Sequence, residues 1–139
     1  MGEPIRALLE RHYRAWSTGD VDGIVACFTA DATMEDVALD ACFEGPAGIR
    51  AMAVRVLSAM AGLEWTPARI CVDGDVACTE WRMTGVHRGD LPRIGPGTGK
   101  PFSVAGMSIA EIRDGLIHRH RDYWNLGTYQ QQVGTSTSA

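Results

Sequence analysis

Ile117-His118-Arg119-His120-Arg121-Asp122-Tyr123-Trp124-Asn125 follows the turn Arg113-Asp114-Gly115 and reads as the last strand of a sheet. Alternate side chains of a strand point to opposite faces. His118, His120, Asp122 and Trp124 then share one face, and Ile117, Arg119, Arg121 and Tyr123 the other. Two arginines mark the second face as at least partly wet. The first carries two imidazoles, a carboxylate and an indole, with no Lys or Arg. If it looks into the protein, Asp122 sits in a mostly apolar cavity. A carboxyl group there is costly to ionise, so its pKa rises and it can donate a proton near neutral pH. The alternative is a surface strand with ordinary charges.

The rest of the chain favours the cavity. Upstream of this strand, Leu63 to Cys71 and Ala77 to His87 flank the hairpin signal Val72-Asp73-Gly74-Asp75, and Phe102 to Ile112 forms another long strand. Thr79, Trp81 and Met83 share one face, suited to an apolar pocket wall or to a plain core. Residues 88–100 form a connection rich in Gly and Pro, of the length used by binding loops and lids. Its glycines do not have phosphate-loop spacing.

The N-terminal half reads as helices. Pro4 opens an amphipathic helix with Ile5, Leu8, Leu9, His12 and Trp16 as its apolar stripe, ending near Ser17-Thr18-Gly19-Asp20. His12 in that stripe is either a core histidine or a polar group aimed into the cavity. Asp20 is a natural N-cap for a short helix from Val21 to Phe28. Ala32 to Val37 alternates as a short strand with Ala32, Met34 and Asp36 on one face. Residues 38–46 read as a loop. A third helix carries Ile49, Met52, Ala53, Val56, Leu57 and Met60 on its core stripe. Asn125 to Gly134 folds back as a helical turn, and Thr135 to Ala139 reads as a disordered tail. Helices followed by a run of antiparallel strands predict an α+β fold: a cone-shaped α+β barrel, with a strongly curved antiparallel sheet and three N-terminal helices closing an apolar pocket.

Composition sets outer bounds. The chain has 139 residues, enough for one domain with a core, and is 45% hydrophobic and 22% charged. A net charge of −4 gives no reason to expect nucleic acid or an anionic membrane surface as partner. No apolar run is long enough to cross a bilayer. Met1-Gly2-Glu3-Pro4 lacks the basic-then-apolar pattern of a secretory signal, so a cytoplasmic location is expected. Cys27, Cys42, Cys71 and Cys78 match no zinc or redox spacing and read as buried free thiols. His118 and His120, one residue apart, could join Asp122 around a metal, but no third strong ligand stands out.

The runs Trp81 to Asp90, Gly97 to Phe102, Arg113 to Ile117 and Arg121 to Trp124 resemble the SnoaL-like polyketide cyclases. These belong to the nuclear transport factor 2-like superfamily, with ketosteroid isomerase and limonene epoxide hydrolase. The resemblance spans residues 4 to 134, within a single domain, 1–134. It implies that Asp122 is the acid/base aspartate of the cyclases and the acid of the epoxide hydrolase. Asp36 matches the isomerase's general base, and His12 falls near its oxyanion-binding tyrosine. Trp81 and Met83 stand where the epoxide hydrolase has Arg and Asp, and Ala105 where the isomerase has its second aspartate. A homodimer is implied by resemblance alone.

These readings converge on a cofactor-independent acid/base enzyme acting on a bulky apolar small molecule, by aldol-type ring closure or a double-bond shift. Asp122, Asp36, His120 and His118 are the candidate catalytic residues. His12, Trp16, Met34, Trp81, Met83, Ala105, Met107 and Trp124 are the candidate substrate contacts. Epoxide opening by Asp36 and Asp122, and non-catalytic binding of a hydrophobic ligand, are the alternatives.

Overall fold

The structure, a computed structural model, describes residues 2–134. The tail expected at residues 135–139 lies outside them. Helix α1 (Glu3–Ser17) starts on Pro4 and buries Leu8, Leu9, His12, Tyr13 and Trp16. Asp20 caps α2 (Val21–Ala26), its Oδ1 accepting from Gly23 N at 2.9 Å. The helix ends sooner than its pattern suggests, because Phe28 already belongs to β1 (Phe28–Asp36). Strand β2 (Ala41–Glu44) lies within the expected loop and pairs with the end of β1. Then come α3 (Gly45–Ala59), β3 (Met60–Asp73), β4 (Val76–His87), β5 (Lys100–Arg113), β6 (Leu116–Trp124) and α4 (Leu126–Val133).

The fold is α+β: a curved six-stranded sheet of order β2-β1-β6-β5-β4-β3 with four helices. Two features differ from expectation. The sheet is mixed, because β1 lies parallel to β6 while the other neighbours are antiparallel. Strands so far apart in sequence need no tight turn between them, so either direction is open. The helices also differ in their surroundings: α1, α2 and α3 lie in the first 59 residues, but two strands, β1 and β2, separate α2 from α3 where one was expected, and α4 follows the sheet as a full helix. The parallel pairing sets Asp36 opposite Asp122 in the ladder.

The β5–β6 turn has positive φ at both Asp114 (53°) and Gly115 (77°), as a tight two-residue hairpin requires. It fixes the register of β6 against β5 through Arg113↔Leu116 and Ile112↔Ile117. The ladder then resumes at Glu111↔Arg119, leaving His118 as an extra residue. This bulge shifts the alternation. Ile117, His120 and Asp122 are buried, whereas Arg119 and Tyr123 are exposed. Ile117 therefore joins the inner face from which His118 is expelled.

The core is rich in aromatic rings. Trp65 packs against Tyr13, Trp16 and Trp81, with ring centroids 5.6, 5.2 and 5.1 Å apart. Gly106, paired with Trp81, makes this possible: a Cβ there would meet the indole at 2.5 Å. Among the cysteines only Cys27 is buried. Cys42 and Cys71 are exposed and Cys78 intermediate, which corrects the expectation of four buried thiols. All four are free. Among the described residues no helix is long and apolar enough to cross a membrane.

Candidate active site

Between the inner sheet face and α1 and α3 lies a cavity of about 70 Å³. Its walls are nearly all apolar or aromatic, and Asp36 and Asp122 both line it. Trp16, Met34, Trp81, Met83 and Trp124, all expected there, line it too.

Asp122 is 2% exposed. Its Oδ1 accepts a short hydrogen bond from the Ser108 hydroxyl, and Ser108 Oγ accepts from Trp81 Nε1 at 2.7 Å. Burial pushes the Asp122 carboxyl up to about 7, partly offset by the Ser108 bond, which favours the anion. The Tyr13 hydroxyl lies in the same quarter. Burial, then the charge of Asp122, push its pKa up, and the Ser108 and Thr79 hydroxyls partly counter this. The phenol nonetheless closes no well-formed hydrogen bond.

Asp36 sits at the end of β1, where its side chain takes three bonds. Trp124 Nε1 donates to both oxygens at 3.1 Å, and Leu39 N to Oδ1 at 3.0 Å. Burial, then the like charge of Asp122, raise it to about 6, against the pull of these donors. Burial and mutual repulsion oppose ionising both carboxyls together, so near neutral pH the pair favours sharing one proton. That is the division of labour acid/base catalysis needs.

The histidines separate into three places. His120 is fully buried with Nδ1 3.4 Å from Asp122 Oδ1, but among the described residues neither ring nitrogen makes a hydrogen bond. His12, equally buried and equally unpartnered, packs with its ring centroid 4.9 Å from that of His120. Neither lines the cavity. Both form a dry layer beside Asp122, and burial lowers both pKa values, His120 to about 4. His12 is thus a core histidine. His118 has left the site altogether: the bulge turns it toward Thr29 and Asp31, with Nδ1 3.4 and 3.6 Å from their oxygens.

Ala105 and Met107 are also displaced from their expected role. Both are exposed, Met107 at 49%, while Phe102, Val104, Ser108 and Ala110 are buried. Strand parity therefore aims 105 and 107 away from the cavity. Sequence reasoning missed Ser108, Tyr13 and Trp65. The signal for Ser108 was the alternation of β5 itself: Glu111 and Ser103 fall on one face, Phe102, Val104, Ala110 and Ile112 on the other. Leu91 and Pro92, from the 88–99 connection, also line the cavity. Asp40 and Arg93 join the two loops beside it by an ion pair at 3.4 Å. Among the described residues, no group of three His, Cys, Asp or Glu is placed to hold a metal ion.

Residues 9–120 match the family model of the SnoaL-like domain. That match stops two residues short of Asp122. Three solved structures are similar over almost the whole chain. TsrD from Streptomyces laurentii is 28% identical, with TM-score 0.83 and 96% of each chain covered. A protein of ketosteroid isomerase-like fold from Catenulispora acidiphila DSM 44928, solved with trimethylamine, is 22% identical. Its TM-score is 0.82, with 91% of this chain and 92% of that one covered. A protein assigned as a polyketide cyclase from Xanthomonas campestris pv. campestris is 21% identical, with TM-score 0.79 and coverage of 94% and 97%. No curated protein matches the chain significantly.

Proposed function

The chain belongs to the SnoaL-like domain family, and on that premise we propose that it is a cofactor-independent acid/base enzyme acting on an apolar carbonyl compound. The observation that carries this reading is the pair Asp36 and Asp122, facing one apolar cavity with pKa values raised to about 6 and about 7. Ionised Asp36 removes a proton from the carbon alpha to a carbonyl. Protonated Asp122 donates to the oxygen as negative charge builds there. The enol carbon then attacks a second carbonyl of the same molecule and closes a ring, the enol O–H returning its proton to Asp122 while Asp36 gives its proton to the new alkoxide. Alternatively, Asp36 reprotonates another carbon of the enol, the O–H proton again returns to Asp122, and a double bond shifts. Each positioned acid or base contributes about a hundred- to ten-thousand-fold in rate.

The apolar wall supplies the electrostatic setting. In a site with little water, one hydrogen bond to a nascent oxyanion counts for more than it does in solution. Ser108, oriented by Trp81, fixes which way the Asp122 carboxyl points. At about 70 Å³ the cavity holds less than the ~150 Å³ that admits a benzene ring, so a bulky substrate enters only as the wall yields. Epoxide opening gains no support, since Trp81 and Met83 add only apolar surface where its Arg and Asp are required.

The test is turnover of a panel of anthraquinone-type esters, steroid enones and alkene epoxides by the protein and its Asp122→Asn variant. Turnover of a carbonyl substrate, lost in the variant while binding persists, supports the proposal. Full activity in the variant removes Asp122 from the chemistry. Binding without turnover across the panel leaves a ligand-binding protein.

A further inference from the structure

On α3, Met52, Arg55 and Val56 fall at i, i+3 and i+4 and line the cavity together. Two are apolar, as a pocket wall requires. Among the described residues the third is the cavity's sole cation: every other lining residue is apolar or aromatic except Asp36 and Asp122. Arg55 is exposed, so it sits where the cavity meets solvent. The ion pairs among the described residues engage Arg50, Arg93, Arg113 and Arg119 but leave Arg55 without a carboxylate. Helix α3 has no acidic residue of its own.

A second observation points the same way. Trp16 and Trp65 line the cavity, and their indole N–H groups are buried with no acceptor. The other two lining indoles are satisfied, Trp81 by Ser108 and Trp124 by Asp36. A buried donor without a partner costs free energy unless a ligand supplies the acceptor. Among the described residues, two of the lining indoles therefore have unpartnered N–H groups, and a cation without a carboxylate stands at the rim.

From this arrangement we infer that the ligand carries a carboxylate, which docks on Arg55 at the mouth, while its apolar body runs inward past the tryptophans toward Asp36 and Asp122. The guanidinium fork suits a carboxylate geometrically, and its place at the mouth spares the anion full desolvation. The opposite orientation would bring the anion against Asp36. The inference rests on the proposed function only in taking the same cavity as the binding site, since it concerns affinity and needs no turnover.

All four tryptophans of the chain line this cavity, so quenching of their emission reports its occupancy. Phenylbutanoate and its isosteric methyl ketone, phenylpentanone, form a matched pair differing chiefly in charge. The acid is expected to bind the unmodified protein about tenfold more tightly than the ketone, a preference that shrinks as salt is raised. Arg55→Gln should erase the preference by weakening the acid alone, and Arg55→Lys should keep part of it. Equal affinities in the unmodified protein, no binding of the acid, or an equal loss of both probes in Arg55→Gln would overturn the inference. Asp122→Asn should keep the preference for the acid even as it abolishes turnover, so failure here and failure of the acid/base proposal appear in different measurements.

Discussion

Two titratable pairs lie side by side, all buried but for the half-buried Asp36, and the protein treats them differently. Asp36 and Asp122 face the cavity, and each carboxylate is held by donors: Trp124 and the Leu39 N–H for one, Ser108 for the other. His12 and His120 lie behind Asp122, packed ring against ring, with all four nitrogens unpartnered. Burial drives both pairs toward neutrality, which raises the acids and lowers the imidazoles. For the acids, neutrality near pH 7 means a proton available to give. For the imidazoles it means none, and a pKa near 4 leaves His120 unprotonated at working pH. Chemistry therefore belongs to the front pair, and the rear pair shapes the dry surroundings that keep Asp122 protonated.

The largest effect that separates the pairs is on rate. Asp122→Asn should reduce turnover of a carbonyl substrate by about a hundred- to ten-thousand-fold, measured as kcat/KM, with ligand affinity little changed. His120→Phe should cost far less, because the ring does not face the cavity. A loss as large in His120→Phe as in Asp122→Asn would erase the distinction. The pH profile sharpens it: activity should peak between about 6 and about 7, where Asp36 is ionised and Asp122 is not.

The next effect is on stability, and here the pairs oppose each other. An acid whose folded pKa is raised stabilises the fold fully below its unfolded value of about 4 and loses that contribution as pH climbs through the folded value. For Asp122 the window runs from about 4 to about 7. A histidine whose folded pKa is lowered contributes above its unfolded value of about 6.5 and loses it as pH falls. For His120 that loss extends down to about 4. The two slopes partly cancel in the unmodified protein between these limits. Asp122→Asn should unmask the histidines: its melting temperature, compared with that of the unmodified protein, should gain on the order of 5 °C more at pH 8 than at pH 4. An identical gain at both pH values would mean that Asp122 is not desolvated.

How much of this was legible beforehand follows from where the strand period holds. From residue 119 onward β6 alternates without interruption, and there the pattern placed Asp122, Trp124 and the exposed Tyr123 and Arg119 correctly. Asp36 was less legible: the series Ala32, Met34 and Asp36 shares a face, but alternation alone did not say which face is inward, and the resemblance supplied its role. His118 was not legible, because a bulge inserts one residue without changing composition, and only its pairing with β5 reveals it. Ala105 and Met107 failed differently: Ala105 was placed by its correspondence to the isomerase's second aspartate and Met107 shares its face, yet Phe102 and Ile112 of the same strand fix the opposite parity. The parallel β1–β6 pairing and the ring contact of His12 with His120 join residues about a hundred positions apart, beyond the reach of any local period.

A smaller effect concerns the group that ties the front pair to the wall. Ser108→Ala removes the one hydrogen bond credited with lowering the Asp122 pKa and strips Trp81 Nε1 of its acceptor. The fold should lose about 1–3 kcal/mol. The Asp122 carboxyl should titrate still higher, moving the alkaline limb of the rate profile upward. A destabilised variant with an unmoved limb would show that Ser108 supports packing only.

The smallest effect tests the rear pair alone. His12→Leu replaces an imidazole whose two nitrogens have no partner with an apolar side chain of similar size. The substitution loses aromatic edge contacts with Tyr13 and Phe28, at centroid distances of 5.0 and 5.5 Å, but removes two desolvated polar atoms. The balance should fall between neutral and about 1 kcal/mol stabilising at pH 8. At pH 5 the gain should be larger, since the unfolded imidazole binds a proton there that the buried one refuses. Denaturant unfolding at the two pH values measures both. A loss of more than about 2 kcal/mol at pH 8 would mean that the His12 nitrogens are satisfied after all, and the contrast between a bonded front pair and a dry rear pair would fail.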